Sequence, residues 1–198
     1  MKIQYYYAIT SPFAYLGSKN FQYIAKKFNA EVIEKPCDLV GGIFVKTGGV
    51  PVPQRSPQRQ KYRLDEIKRW SEFLNIQINI KPKFFPPRDP HLPAKFTIAA
   101  NLLGTKVLFG HELLKQLWSE EKDISDEKNI EIISNKFKIN FEELSVLAKS
   151  EKVTKIYMDN TVEAINQNVF GAPTYIFNNE LFWGQDRLEF LERALKNA

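Results

Sequence analysis

The pattern of apolar and polar positions predicts that the chain begins with a strand, a helix and a second strand. Ile3–Ile9 is rich in Tyr and Ile, as β-strands are. Ser11 and Pro12 then form a helix start, because proline fits the first helical turn. Apolar residues recur with helical spacing as far as Phe28, and Glu31–Cys37 is predicted as the next strand. A strand–helix–strand unit of this length predicts that the two strands are parallel.

The middle of the chain predicts an irregular loop followed by helices. Gly and Pro are frequent between residues 41 and 57, and loops of this length are usually functional or mobile. A charged helix is predicted over Gln60–Leu74, and a short extended stretch over Ile76–Ile80. Prolines exclude a helix interior between residues 81 and 93. Further helices are predicted over Ala94–Leu103, Lys106–Ser119, Ser125–Phe137, Asn140–Lys149 and Val153–Asn168.

The end of the chain carries the strongest local pattern, a hairpin followed by a helix. Thr174–Phe177 is β-branched and aromatic, so it is predicted as a strand. Asn178–Asn179 predicts a turn, because Asn tolerates positive φ, and Leu181–Trp183 is the returning strand. Gln185–Asp186 then opens the last helix with an acidic charge at its N-terminus, where the helix dipole favours it.

These elements together predict an α/β protein with a thioredoxin-like fold, βαβ…ββα, that contains a large all-helical insertion. Neither end has enough strands for a stable sheet alone, so the two ends must share one. We expect residues 1–58 and 159–198 to form the two halves of the thioredoxin-like domain. Residues 59–158 are expected to form the helical insertion. A chain of 198 residues is long enough for this organisation.

Composition narrows the functional classes. Hydrophobic residues make up 43% of the chain and charged residues 26%, which is typical of a globular protein. The net charge of +5 suits a small anionic ligand, and the aromatic residues do not follow nucleic-acid-binding motifs, so no nucleic-acid partner is expected. No apolar run is long enough for a membrane span and no signal sequence is evident, so we expect a cytoplasmic protein.

Cysteine and histidine usage excludes two further kinds of chemistry. Cys37 is the single cysteine, so an intrachain disulfide and a Cys-x-x-Cys pair are both impossible. It falls on a predicted core strand, where a buried and unreactive thiol is expected. No His, Cys and Asp spacing predicts a metal site.

Ser11 is the first candidate for chemistry, because it follows the first strand and opens the first helix. Backbone N–H groups and the helix dipole stabilise an anion at such a position. A serine hydroxyl is a poor nucleophile without a base, and neither His91 nor His111 has the context of a catalytic triad. Ser11 is therefore either a simple helix cap or the donor of a hydrogen bond to a thiolate that a ligand supplies.

Three further features each have a structural and a functional interpretation. Ala172-Pro173 is either an ordinary strand start or a cis peptide that offers backbone groups to an extended ligand. Gln185-Asp186 either caps the last helix or binds a carboxylate and an ammonium group. A basic cluster after the loop is either a solvated surface or an anion site. Its members are Arg55, Arg59, Lys61 and Arg63.

Three motifs stand in a characteristic order, Ser11–Leu16, Val169–Thr174 and Leu181–Leu188. With them the chain resembles the 2-hydroxychromene-2-carboxylate isomerases and the related kappa-class glutathione transferases over almost its whole length. The resemblance implies a thioredoxin-like domain with a helical insertion, glutathione as the cofactor, and a homodimer. Disulfide-exchanging relatives carry Cys-x-x-Cys where this chain has Ser11–Ala14, so disulfide exchange is excluded.

The resemblance also implies individual roles. The hydroxyl of Ser11 would activate the glutathione sulfur, and Ala172 would pair with the cysteinyl backbone. Gln185 and Asp186 would hold the γ-glutamyl carboxylate and ammonium. The implied glutathione-binding set is Ser11, Phe13, Ala172, Pro173, Gly184, Gln185 and Asp186. For the second substrate, Arg55 or Arg59 would bind a carboxylate, and Phe85 would pack against an aromatic ring.

The implied function is that of a glutathione-dependent isomerase acting on a small aromatic carboxylate. The thiolate adds to the conjugated substrate, the ring opens, a bond rotates, and the thiolate leaves. A kappa-type transferase that conjugates electrophiles shares every motif and is the first alternative. A non-catalytic module that binds thiol peptides is the second.

The sequence departs from the family pattern at two positions. Gly49 and His91 stand where the family often has Asn, and both differences affect the expected identity of the substrate.

Overall fold

A four-stranded mixed sheet joins the two ends of the chain in the computed structural model, which describes residues 1–105 and 109–198. The strands are β1 (Lys2–Tyr7), β2 (Glu31–Pro36), β3 (Thr174–Phe177) and β4 (Glu180–Trp183). Their spatial order is β2-β1-β3-β4. β1 and β2 are parallel, whereas β3 is antiparallel to both β1 and β4. The predicted parallel pair and the predicted hairpin are therefore confirmed.

Helices connect and cover this sheet. α1 (Pro12–Lys27) joins β1 to β2, and α9 (Leu188–Lys196) follows β4. The helices between β2 and β3 are α2 (Phe44–Thr47), α3 (Pro57–Leu74), α4 (His91–Leu102), α5 (Phe109–Trp118), α6 (Glu127–Lys136), α7 (Phe141–Ala148) and α8 (Glu151–Asn166). The thioredoxin-like fold with a helical insertion is confirmed, while the domain boundaries at residues 58 and 158 remain a prediction. Residues 106–108 of one predicted helix lie outside the described residues.

The predicted irregular loop between residues 41 and 57 is largely helical. A π-helical turn spans Leu39–Ile43, α2 follows it directly, and a 3-10 turn spans Val52–Gln54. The side chain of Asp38 caps the first turn by accepting a hydrogen bond from the Gly41 N–H at 2.8 Å. Such local side-chain caps stabilise short turns that apolar periodicity does not show.

The sheet packs on both faces. On one face the rings of Tyr5 and Tyr7 stack with centroids 4.4 Å apart, and those of Tyr5 and Tyr175 stack 5.2 Å apart. On the other face Tyr6, Cys37 and neighbouring apolar residues form a second buried cluster. Burial raises the pKa of the Cys37 thiol to about 12, so the thiol is protonated at neutral pH. Within the described residues, no helix combines the length and apolar character needed to cross a bilayer.

Candidate functional site

Ser11 occupies the N-cap position of α1, directly after β1. Its backbone is extended, with φ −80° and ψ 120°, and Pro12 fills the first helical turn. The Oγ atom accepts a hydrogen bond from the Ala14 N–H at 3.2 Å, which satisfies one free donor of the helix. The residue is 8% exposed. Ser11 therefore caps α1, and its hydroxyl proton is still available for donation.

The second part of the site is the peptide bond between Ala172 and Pro173, which is cis. The carbonyl oxygen of Ala172 accepts the hydrogen bond from the Ser11 hydroxyl at 3.3 Å. The carbonyl oxygen of Pro173 accepts one from the Gly184 N–H at 2.9 Å. The cis-proline segment is thus tied to the end of β4 on one side and lies against the start of α1 on the other.

The third part is the turn Gly184-Gln185-Asp186 between β4 and α9. Gly184 has φ +106°, a left-handed conformation that glycine adopts without strain. Gln185 is buried against α1, where a Cβ atom added to Gly17 would lie 2.6 Å from the Gln185 Cβ. The carboxylate of Asp186 is exposed and pairs with Arg187 at 2.8 Å. Close packing on α1 therefore fixes the turn, while its acidic group faces outward.

These parts enclose a cavity of about 220 Å³, which we call the clamp cavity. It is lined by Phe13, Glu66, Trp70, Ala172, Trp183, Gly184, Gln185, Asp186 and Arg187. Ser11 and Pro173 do not line this cavity, but Ser11 is hydrogen-bonded to the lining residue Ala172. The structure thus brings together residues from both ends of the chain that the sequence analysis assigned to one ligand.

Four lining residues were not assigned to the site from the sequence, namely Glu66, Trp70, Trp183 and Arg187. Glu66 and Trp70 lie one helical turn apart on α3, so they share a face of that helix. The carboxylate of Glu66 pairs with Arg69 on the same helix. The spacing of Glu66 and Trp70 was visible in the sequence, but the same spacing fits a helix that only packs on a core.

A second cavity of about 450 Å³, which we call the arginine cavity, adjoins the clamp cavity. It is lined by Phe13, Arg55, Gln58, Arg59, Tyr62, Arg63 and Glu66. Phe13 and Glu66 line both cavities, so the two cavities are neighbours. Arg55 is anchored through its Nε, which donates to the Val50 carbonyl at 2.7 Å, and partial burial lowers its pKa with a smaller effect from Arg59.

The remaining candidates lie apart from these two cavities. Phe85 does not line either of them and packs against Trp118 with ring centroids 5.0 Å apart. His91 Nδ1 is 3.1 Å from the Tyr157 hydroxyl. His111 is partly buried in α5, and this burial lowers its pKa. Among the described residues, neither histidine hydrogen-bonds to Ser11, and no cluster of His, Cys, Asp and Glu is suited to a metal ion.

The strand–helix–strand unit, the cis-proline hairpin and the inserted helices define a thioredoxin-like protein. The sequence profile of the DSBA-like thioredoxin domain matches residues 2–196, and the chain belongs to this family. Membership of this family does not imply disulfide exchange by this chain. Ser11, and not a cysteine, stands at the start of α1, and the single cysteine, Cys37, is buried in the second cluster of the sheet.

The relatives with curated names are enzymes of two kinds. The 2-hydroxychromene-2-carboxylate isomerase of Pseudomonas putida is 25% identical over 199 residues, which cover 98% of this chain and 94% of the relative. Glutathione S-transferase kappa 1 of Caenorhabditis elegans is 23% identical over 206 residues, which cover 98% and 91%. The resemblance inferred from the motifs is therefore confirmed.

Solved structures agree on the fold. A structure of 2-hydroxychromene-2-carboxylate isomerase has a TM-score of 0.81 at 22% identity and covers 100% of this chain and 95% of its own. The cytosolic disulfide reductase DsbM of Pseudomonas aeruginosa, solved with GSH, has a TM-score of 0.64 at 16% identity, with coverage of 99% and 100%. At these identities the likeness establishes the fold alone.

Proposed function

We propose that the protein is a glutathione-dependent isomerase of the 2-hydroxychromene-2-carboxylate type. The observation that carries the proposal is the contact between the Ser11 hydroxyl and the Ala172 carbonyl, 3.3 Å long, at the N-terminus of α1. A thiolate held there receives a hydrogen bond from Ser11 and the favourable end of the helix dipole. The relatives named as isomerases and glutathione transferases support the same assignment.

In this proposal the clamp cavity holds the glutathione backbone. The backbone of Ala172, before the cis Pro173, pairs with the cysteinyl residue as a short extended strand. Gln185 and the N–H groups of the turn after Gly184 bind the γ-glutamyl carboxylate, and Asp186 binds the ammonium group. Glu66 faces the same cavity and adds a second negative group for the ammonium.

The arginine cavity then receives the second substrate. A carboxylate there meets Arg55 or Arg59, while Phe13 contacts both ligands. The thiolate forms a carbon–sulfur bond to the conjugated substrate, the ring opens, rotation follows, and the carbon–sulfur bond breaks again. Glutathione is regenerated, so it acts as a cofactor and the reaction is an isomerisation.

The kappa-type transferase remains the second candidate, because a relative with that name matches nearly the whole chain. Product analysis separates the two activities. The isomerase converts a hydroxychromene carboxylate while free glutathione stays constant. Net loss of glutathione with chlorodinitrobenzene, together with no turnover of the hydroxychromene carboxylate, would overturn the isomerase proposal in favour of the transferase.

A non-catalytic module is the third candidate. It would bind glutathione, as calorimetry would show, without forming a thiolate or turning over either substrate.

We further propose that the enzyme works in the cytoplasm, where a free thiol cofactor persists, and that it is a homodimer, as its resemblance implies. Its partners in this proposal are small molecules rather than nucleic acids or membranes. Sedimentation equilibrium would test the homodimer, and a monomeric mass would refute it.

A further inference from the structure

Arg63 has surroundings that differ from those of the other cations on α3. Its guanidinium carbon lies 5.6 Å from the ring centroid of Phe85 and 5.9 Å from that of Trp118. The two rings are themselves in contact, with centroids 5.0 Å apart. They therefore form a platform below the guanidinium and remove much of the water from one side of it.

No carboxylate among the described residues pairs with Arg63. The acidic residues of α3 are bound elsewhere, since Asp65 pairs with Lys61, Glu66 with Arg69, and Glu72 with Lys68. The Arg63 side chain is partly buried. A guanidinium offers five donors, and removing some of them from water without an acceptor costs free energy. Burial, with a smaller effect from Arg55, lowers the pKa of Arg63 to about 10, so the group is still a cation at neutral pH.

The position of Arg63 indicates where a hydrogen-bond acceptor for its guanidinium would bind. Arg63 lines the arginine cavity together with Arg55 and Arg59, and Arg59 precedes it by four residues on the same helix face. Like charges at this spacing repel one another. An anion in the cavity would reduce the repulsion and accept hydrogen bonds from the guanidinium at the same time.

We propose that Arg63 is a specificity-determining residue that binds the anionic group of the second substrate in the arginine cavity. Phe85 and Trp118 orient it from below, which gives Phe85 a positioning role in place of the direct substrate contact expected from the sequence. The site therefore prefers a planar electrophile that carries a carboxylate over a neutral electrophile of the same shape. The catalytic part of this inference rests on the proposed function, whereas the anion site does not.

A binding experiment without glutathione tests the anion site. The probes are benzoate and benzamide, which share a shape and differ in charge. Arg63→Met keeps the apolar stem and removes the charge, Arg63→Lys keeps a charge without the planar fork, and Lys68→Met is the matched control on the solvated face of α3. Calorimetry gives the dissociation constants, and thermal unfolding reports on folding.

We expect the wild type to bind benzoate more tightly than benzamide. Arg63→Met should weaken benzoate binding by about 10- to 100-fold, and Arg63→Lys by a smaller factor, because a charged hydrogen bond is lost. Lys68→Met should bind like the wild type. Arg63→Met should also keep or raise the melting temperature, because a partly buried charge without a carboxylate partner is removed.

Two results would overturn the inference. One is equal affinity of the wild type for benzoate and benzamide. The other is unchanged benzoate affinity in Arg63→Met with a lowered melting temperature, which would show that Arg63 serves only to pack on its platform. Failure of the proposed function gives a different result, namely a charge-dependent benzoate site in a protein that does not bind glutathione.

Discussion

The hydroxyl of Ser11 donates a hydrogen bond to the carbonyl oxygen of Ala172, 161 positions away in the sequence. Ser11 has one proton to donate, and its oxygen already accepts from Ala14. In the proposed reaction the hydroxyl turns to the glutathione sulfur, and the Ala172 carbonyl accepts from the cysteinyl N–H. The single Ser11 proton is therefore exchanged between the Ala172 carbonyl and the sulfur when glutathione binds.

Gly17 is expected to be necessary for the clamp rather than for α1. Alanine in place of a helical glycine ordinarily stabilises a helix by about 1 kcal/mol. Here the new Cβ would lie 2.6 Å from the Gln185 Cβ and 3.1 Å from the Tyr175 hydroxyl. We expect Gly17→Ala to lower the free energy of unfolding by about 1–3 kcal/mol and to weaken glutathione binding.

The matched control for Gly17→Ala is Asn20→Ala, at an exposed position of the same helix. This substitution should leave the glutathione dissociation constant unchanged and slightly stabilise the fold. Urea unfolding and calorimetry measure the two effects. A Gly17→Ala protein that is more stable than the wild type and binds glutathione equally well would contradict the expected role of the close contact.

Removal of the side-chain hydroxyl is expected to change the free energy of unfolding in opposite directions at Tyr175 and Tyr6. The Tyr175 hydroxyl is buried without a hydrogen-bond partner among the described residues, whereas the Tyr6 hydroxyl donates to Glu163 at 2.8 Å. Tyr175→Phe should raise the free energy of unfolding by about 1 kcal/mol, and Tyr6→Phe should lower it by about 1.5–3 kcal/mol. Chemical denaturation checks both, and destabilisation by Tyr175→Phe would disprove the first expectation.

Glu34 is expected to make stability depend on pH. Its carboxyl accepts hydrogen bonds from Tyr7 and from Asn101, the latter at 3.0 Å. Burial outweighs these bonds and raises the pKa from 4.5 to about 7. The folded state therefore holds a proton that the unfolded state has lost between these pH values. Stability should fall as the pH rises through this window, by up to about 1.4 kcal/mol per pH unit.

Replacement of Glu34 by Gln isolates this effect, because Glu34→Gln cannot titrate. The difference in unfolding free energy between wild type and Glu34→Gln should change with pH across the window. Glu31→Gln is the control, since Glu31 lies on the same strand and is exposed. Parallel stability curves for wild type and Glu34→Gln between pH 4.5 and about 7 would contradict the raised pKa.

The two ends of the fold were predictable because their signals are local. Ser11-Pro12 and the Asn178–Asn179 turn each fix a boundary through the chemistry of adjacent residues, and the structure has both. The short helices after Asp38 were missed because they are too short to show an apolar stripe, and the first of them is capped by the Asp38 side chain. Turn chemistry of this kind competes with periodicity and is less visible in a sequence.

The site could be predicted only in part, for a similar reason. The positions of Ser11 and Ala172 in one groove follow from the strand order, which the sequence pattern implies. The face of α3 that meets the groove is decided by packing, so Glu66 was not assigned. The packing of Phe85 against Trp118 could not be predicted either, because it joins segments far apart in the sequence.

Ser11→Ala is expected to raise the pKa of the bound glutathione thiol. Loss of a hydrogen bond to a charged sulfur costs about 1.5–3 kcal/mol, which corresponds to roughly 1–2 pKa units. The substitution also removes a helix cap, worth about 1 kcal/mol of stability. Ser150→Ala is the control for that second effect, because Ser150 caps α8 through the Val153 N–H at 3.3 Å and lies outside both cavities.

The most direct test of the account is a pH titration of the thiolate absorbance of glutathione bound to the wild type, to Ser11→Ala and to Ser150→Ala. We expect the wild type and Ser150→Ala to share a thiol pKa below that of free glutathione, and Ser11→Ala to have a pKa about 1–2 units higher than theirs. A wild-type value equal to that of free glutathione, or the same value in all three proteins, would contradict the role proposed for Ser11.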